Sequence, residues 1–290
     1  MSARFGPAGN AESFSKVHKS SLAAPAWIAQ QGLDCYEYQC GKGVHVGEDT
    51  ARKLGEKARE AGIALSVHAP YFINLANPDP ESRAKTTNYV LESCFVAQVM
   101  GAERIVIHSG ALMKRSRQEA LDIAKETLKQ VLEACDRQGY GNITLCPETM
   151  GKINQLGDLD EVLTLCTLDE RLIPCIDFGH LYARSLGELE GEQACREMLD
   201  KVERVLGEER ASRFHSHFSH IEFTPNGGEK RHRTFADHGG FGPDWTPLAR
   251  EVARRGWSPT FICESAGTQA EDAQTMKKIY QGFCSSEEAL

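Results

Sequence analysis

The sequence predicts an α/β fold, a closed (β/α)8 barrel. Short β-rich runs alternate with longer helical stretches about eight times, which implies parallel strands joined by crossover helices. The 290 residues suit one such barrel. An open doubly wound sheet would announce itself by a glycine-rich phosphate loop after the first strand, and Phe5-Gly6-Pro7-Ala8-Gly9 is too short for one and carries a proline. One domain spanning 1–290 is expected, with a disordered tail from about residue 284, and no composition shift marks a second domain.

The candidate strands are 4–7, 33–39, 64–69, 104–108, 142–147, 173–177, 214–223 and 260–264. Between them, 49–61 and 116–137 carry apolar residues at helical spacing. Gly62, Gly101, Gly139 and Gly256 stand where helices should stop before the next strand. The stretch 224–245 is the one long glycine-rich polar loop, and loops of that kind tend to carry function.

The net charge is -8, with acidic residues spread along the chain and no basic tail, which argues mildly against a nucleic-acid partner unless bound cations reverse the sign locally. None of the ten cysteines forms a CxxC pair, and most lie in apolar runs such as ITLCPE, LIPCID and TFICES. They read as small buried hydrophobes kept reduced in a cytoplasm. The N-terminus lacks a hydrophobic signal core, and no apolar run approaches the length of a membrane span, so a cytoplasmic protein is expected.

Metal-ligand residue types recur at the strand ends. The third strand ends with His68, the fourth with His108, the fifth with Glu148, and the sixth with Asp177 followed by His180. The seventh offers His215, His217 and His220, the loop after it His232, and the eighth ends with Glu264. Any one of these alone is more often a hydrogen-bonded structural residue. Six successive strands doing so is different, because barrel active sites form at that end. Converging charges and imidazoles are costly to bury unless something satisfies them, and divalent metal does so. A mixed imidazole and carboxylate set favours zinc, manganese or iron over magnesium or calcium.

Two-residue alternation puts His215 and His217 on one face of the seventh strand and His220 on the other. His217 is the chosen ligand, His220 the fallback if a bulge shifts the register, and His215 a structural residue below the site. Lys230 and Arg231, beside His232, are candidates for binding phosphate or a substrate carboxylate.

In their order along the chain, HAPYFINLANPDPESR at 68–83, IVIHSG at 105–110, PETMG at 147–151, CIDFGHLYA at 175–183 and the CES of the last strand resemble the endonuclease IV family of apurinic/apyrimidinic endonucleases, within the wider group of xylose-isomerase-like barrels. The resemblance covers about residues 30 to 266. It implies a TIM barrel holding three zinc ions that cleaves DNA on the 5′ side of abasic sites. It makes His68, His108 and Glu148 ligands of a first metal. Glu148 would bridge to a second, held also by Asp177, His217 and Glu264, while His180 and His232 would hold a third. Tyr71 and Asn74 match a family loop whose tyrosine engages DNA.

Two features depart from the family. Its third metal takes an aspartate two residues before the last histidine, and here that position is Lys230, which has no lone pair to offer while protonated. Either Lys230 faces the pocket near His180 and His232 and excludes the third ion, or it points to solvent and Glu229 or Asp237 substitutes. The loop after the second strand, QCGKGVHVG, is short and lacks an intercalating arginine.

The leading expectation is phosphodiester hydrolysis with two or three zinc ions, or manganese, Glu148 being the catalytic residue at their centre, abasic DNA the partner and no membrane involved. The rivals are a metal-dependent sugar isomerase or epimerase, in which Glu148 and Glu264 shuttle a proton, and a non-catalytic metal-binding descendant.

Overall fold

The computed structural model describes residues 2–287. Eight strands form one parallel sheet: β1 (Arg4–Pro7), β2 (Cys35–Gln39), β3 (Ala64–His68), β4 (Arg104–His108), β5 (Thr144–Glu148), β6 (Cys175–Asp177), β7 (His215–Phe218) and, after a hairpin made of β8 (His220–Thr224) and β9 (Gly228–Arg233), β10 (Thr260–Cys263). The order around the sheet is β1-β10-β7-β6-β5-β4-β3-β2. Its two ends meet: Ala8 bridges Glu37 in parallel sense, the Gly9 amide donates to the Glu37 carbonyl at 2.9 Å, and the Asp34 amide donates to the Phe5 carbonyl at 2.8 Å. The sheet thus curls into the expected barrel, with helices following its strands.

Local sequence explains where the helices begin and end. Ser116 and Glu119 form a reciprocal capping box at the start of the helix Arg117–Arg137, and Asp158 and Glu161 do the same for Leu159–Cys166. The Asp79 carboxylate caps the helix Pro80–Met100, whose first position is a proline that has no amide to satisfy. Gly62 and Gly101 end their helices in left-handed backbone, which lets the chain turn straight into β3 and β4. The last helix, Gln269–Glu287, carries the chain through 284–287, and the rest of the tail expected from residue 284 lies outside the described residues.

The core lies between the strands and the helix ring. Trp245, at the start of the helix Trp245–Arg255, packs edge-on against Phe5, Phe218 and Phe261, and its indole N–H donates to the Met276 carbonyl at 3.0 Å. Nine of the ten cysteines are buried free thiols and Cys284 is half-buried.

The expected seventh strand at 214–223 is two elements. β7 pairs with β6 and β10 inside the barrel, whereas β8 leaves it and pairs antiparallel with β9. The break falls at Ser219. Beyond it the His220 ring stacks on Phe235 with centroids 4.6 Å apart, and the Ile221 amide donates to the Gly242 carbonyl at 2.7 Å. The first part of the polar loop predicted after strand seven, up to Arg233, is therefore a hairpin.

One close approach fixes how two helices sit on the barrel. A Cβ added at Gly55, in the helix Glu48–Ala61, would lie 2.2 Å from the Met100 carbonyl oxygen at the end of Pro80–Met100. Gly55→Ala must push the two helices apart, so it should destabilise the fold by about 1–3 kcal/mol as an overpacking change. Urea unfolding with an unchanged midpoint would show that the helices separate freely.

Candidate metal centre

Strand register brings the ligand-type residues to one end of the barrel. β4 and β5 align His108 with Glu148, β6 and β7 align Asp177 with His217, and β2 and β3 align Gln39 with His68. Each side chain stands at or next to the C-terminal end of its strand. A cavity of about 330 Å3 opens there, lined by His68, Tyr71, His108, Glu148, Lys152, His180, Glu229, His232 and Glu264 among others.

Glu148, 1% exposed, lies at the centre. Its Oε2 is 3.4 Å from His68 Nε2 and 3.3 Å from His108 Nε2. Its Oε1 is 3.1 Å from His217 Nδ1 and 3.5 Å from His180 Nδ1. His217 Nδ1 lies 3.6 Å from Glu264 Oε1, and His232 Nδ1 is 3.9 Å from Glu264 Oε2. Asp177 caps the short helix Phe178–Arg184 by accepting from the His180 amide at 2.7 Å, which places His180 one turn into the site.

Hydrogen bonds fix which nitrogen three of these histidines offer. His68 donates Nδ1–H to the Ala69 carbonyl at 2.7 Å, and His180 donates Nδ1–H to the Thr149 carbonyl at 2.9 Å. Both thereby keep Nε2 for a ligand. His217 is turned the other way: Nε2–H donates to Glu37 Oε1 at 2.9 Å, and Nδ1 faces Glu148.

The donor set fits divalent metal. Glu148 Oε2 and Asp177 Oδ2 are buried and hydrogen-bond nothing among the described residues. Burial is the largest force raising the Asp177 pKa, opposed by His180 and His217 and reinforced by the negative charge of Glu264 and Glu148. Buried carboxylate oxygens without partners need a cation. Glu148, Asp177, His217 and Glu264 hold ligand atoms within 4.8 Å of one another, as do His68, Glu148 and His217, and His180, His232 and Glu264. Cys175 lies beside His215 and His217, and burial pushes its thiol well above the usual range.

The structure brings all eight sequence-proposed ligands together and separates them from His220, which lies on Phe235 outside the barrel. His215 sits one layer below His217, donating Nε2–H to Glu37 Oε2 at 2.9 Å. The expectation that Lys230 faces the pocket fails. Lys230, Arg231 and Arg233 all pair with the Glu222 carboxylate on the other face of the hairpin. The cause is a β-bulge: Glu222 pairs with Arg231 but Phe223 pairs with Glu229, so Lys230 is the extra residue. A regular strand would put 230 and 232 on one face. The bulge instead puts Glu229 there with His232, and Glu229 Oε2 reaches 3.6 Å from His180 Nε2.

Three residues of this region were not singled out in their positions by sequence reasoning. Glu37 is fully buried beneath the site; its only signal is a lone acid in the middle of the β-rich run CYEYQ. Lys152 is the sole lysine or arginine lining the cavity among the described residues. Glu229 was one of two stand-ins for the missing aspartate, and only the bulge selects it.

Of the proposed substrate residues, Tyr71 lines the cavity and is 54% exposed, its ring edge-on to Phe72. Asn74 does not line it. Its Oδ1 accepts from the amides of Ala76 at 3.1 Å and Ala111 at 3.0 Å, and its Nδ2 approaches Met113 Sδ at 3.3 Å. Asn74 thus ties the loop after β3 to the loop after β4.

The sequence profile described as xylose isomerase-like TIM barrel matches residues 25–280. An uncharacterized protein of Methanocaldococcus jannaschii is 34% identical over 253 residues, 87% of this chain and 89% of its own. The probable endonuclease 4 of Acholeplasma laidlawii is 33% identical over 132 residues, 43% of this chain and 44% of its own. Among solved structures, a D-tagatose 3-epimerase-like protein superposes with a TM-score of 0.73 at 18% identity, over 98% of this chain and 99% of its own. Endonuclease IV from Thermus thermophilus superposes with a TM-score of 0.65 at 17% identity, over 98% of this chain and 99% of its own. At such identities the two structures establish the fold alone.

The bonding of Asn74 sets its expected phenotype. Asn74→Ala leaves two loop amides without their acceptor and should cost about 1–3 kcal/mol of stability. Thermal unfolding checks it: an unchanged midpoint together with weakened substrate binding would return Asn74 to a substrate role.

Proposed function

The chain belongs to the xylose isomerase-like TIM barrel family, and from that premise we propose that it is a metal-dependent phosphodiester hydrolase that cuts DNA on the 5′ side of abasic sites. The observation that carries the reading is the number of ligand-type groups. Nine side chains converge on the cavity end of the barrel: His68, His108, Glu148, Asp177, His180, His217, Glu229, His232 and Glu264. One metal needs about four to six ligands, and nine arranged on both sides of one carboxylate supply two or three ions.

In this reading His68, His108 and Glu148 would hold one ion, and Asp177, His217 and Glu264, with Glu148, a second. His180, His232 and Glu229 would hold a third, Glu229 standing in for the family's aspartate. Zinc suits this imidazole-rich set, and manganese is the next candidate. Divalent ions so placed would activate water near neutral pH and offset the charge of the phosphate undergoing attack.

The chain's own residues do the rest. Lys152 lines the cavity and makes no ion pair among the described residues, so its ammonium is free to meet a phosphate oxygen. It takes the role first given to Lys230 and Arg231, which Glu222 holds. Its loop is clasped to the hairpin: the Glu229 amide donates to the Gly151 carbonyl at 3.0 Å, and the Ile153 amide donates to the Gly227 carbonyl at 3.3 Å. The Lys152 backbone is thereby held against the strand that carries Glu229. Tyr71 offers an exposed ring on which a base or an abasic sugar can pack.

A second reading has its own observation. Glu148, Asp177, His217 and Glu264 form a four-ligand group sufficient for one ion, and Glu148 and Glu264 could then shuttle the proton of a ketose epimerisation. Metal counting and paired substrates separate the two. Protein purified without chelators should hold at least two zinc or manganese ions per chain and nick a duplex bearing one tetrahydrofuran abasic analogue. A single ion, with turnover of a ketohexose and none of the duplex, overturns the hydrolase reading.

Two variants refine it. Glu229→Ala should lose one ion per chain by elemental analysis while the other sites stay filled; an unchanged count would place the third ion elsewhere or nowhere. Lys152→Ala should raise KM for duplex more than it lowers kcat, and should reduce the salt slope of binding by about 1. Equal loss at every salt concentration would show that Lys152 meets no phosphate.

A further inference from the structure

We propose that Glu37, together with His215, is a positioning pair that dictates which ring nitrogen His217 presents to metal. The inference rests on the metal reading of the cavity above.

Glu37 is 0% exposed in the barrel interior, one layer beneath the ligand set. A carboxylate offers about four acceptor positions, and this one has four donors. Oε1 accepts from His217 Nε2–H at 2.9 Å and from Gln39 Nε2–H at 3.0 Å. Oε2 accepts from His215 Nε2–H at 2.9 Å and from the Ser66 hydroxyl at 2.9 Å. Every group facing the carboxylate is therefore a donor, which only an ionised glutamate satisfies in full. His217 must then carry its hydrogen on Nε2, and its ligating lone pair must be on Nδ1, the atom 3.1 Å from Glu148 and 3.6 Å from Glu264. A carboxylate behind a metal-binding imidazole both orients the ring and raises its basicity.

His215 completes the device. Its Nδ1 is buried and hydrogen-bonds nothing among the described residues, so Glu37 is the one hydrogen-bonding partner of its ring there. That open nitrogen has a consequence. In Glu37→Gln the side chain keeps one acceptor oxygen and gains an NH2 group. If the amide faces Ser66 and His215, Ser66 rotates to accept, and His215 accepts at Nε2 by moving its own hydrogen to Nδ1, which hydrogen-bonds nothing among the described residues. The oxygen remains for Gln39 and His217. The variant can thus preserve His217 by switching His215. Glu37→Leu has no such route, because it leaves the His217 Nε2–H facing an apolar side chain.

The test uses full-length protein labelled with 15N-histidine and loaded with zinc. Long-range 1H–15N correlation reads which nitrogen of each ring carries hydrogen, and competition with a chromophoric chelator reads affinity. Wild type should show His215 and His217 both protonated at Nε2 only. Glu37→Gln should bind zinc within a few-fold of wild type, with His217 unchanged and His215 protonated at Nδ1. Glu37→Leu should bind zinc about 10- to 100-fold more weakly, the usual loss when such a partner is removed.

Glu37→Leu that matches wild type in zinc affinity overturns the inference alone. So does Glu37→Gln in which His217 switches while His215 does not, and that result decides the matter if the leucine variant fails to fold. Wild type that takes up no zinc overturns the metal reading and this inference with it.

Discussion

A single buried carboxylate organises the upper half of the barrel. Glu148 ends β5, the strand between the His108 strand and the Asp177 strand, and its two oxygens face in opposite directions, one toward His68 and His108, the other toward His217 and His180. Placing such a group out of water is costly unless opposite charge meets it. The protein supplies imidazoles at 3.1 to 3.5 Å and leaves one oxygen without a hydrogen bond. Most other features of the site, from the helix cap at Asp177 to the bulge at Lys230, position something relative to this carboxylate.

Beneath it lies a second carboxylate with the opposite character. Glu37 has all its acceptor positions filled by protein donors, and the charges and hydrogen bonds of His217 and His215 overcome burial to hold its pKa well below the usual range. One acid is saturated by the protein and the other is left open. Buried polar networks rigidify when fully satisfied, and sites are built where they are not. His217 touches both acids and transmits the order of the lower layer to the upper.

The hairpin resolves the strongest disagreement between this chain and the family it resembles. A lysine where the family has a metal-binding aspartate looks like the loss of a site. The extra residue in β9 moves the inward position from 230 to 229, so an acid still meets His180, and the lysine joins Arg231 and Arg233 on Glu222. The basic group the cavity does contain, Lys152, arrives from the loop after β5, more than seventy residues earlier in the chain.

The fold and the outline of the site were legible in the sequence because both rest on local chemistry. Alternating β-rich and helical runs state a parallel barrel, capping residues and glycine stops punctuate it, and a His, Asp or Glu at each of six strand ends marks the face where ligands gather. Two-residue alternation set His217 and His220 on opposite faces, and the fold puts His217 beside Glu148 and His220 on Phe235. What the sequence could not contain were matters of register and of contact across the barrel. Glu37 is a lone acid in a strand until folding sets it against His215 and His217, some 180 residues away. Asn74 passes for a substrate residue until its carboxamide is found tying two loops. Lys230 and Glu229 are interchangeable on paper, because one bulged residue reverses which of them points inward. Residue type and spacing are properties of a segment, whereas the facing of a side chain and the partner of a buried charge are settled only when distant strands close into one barrel.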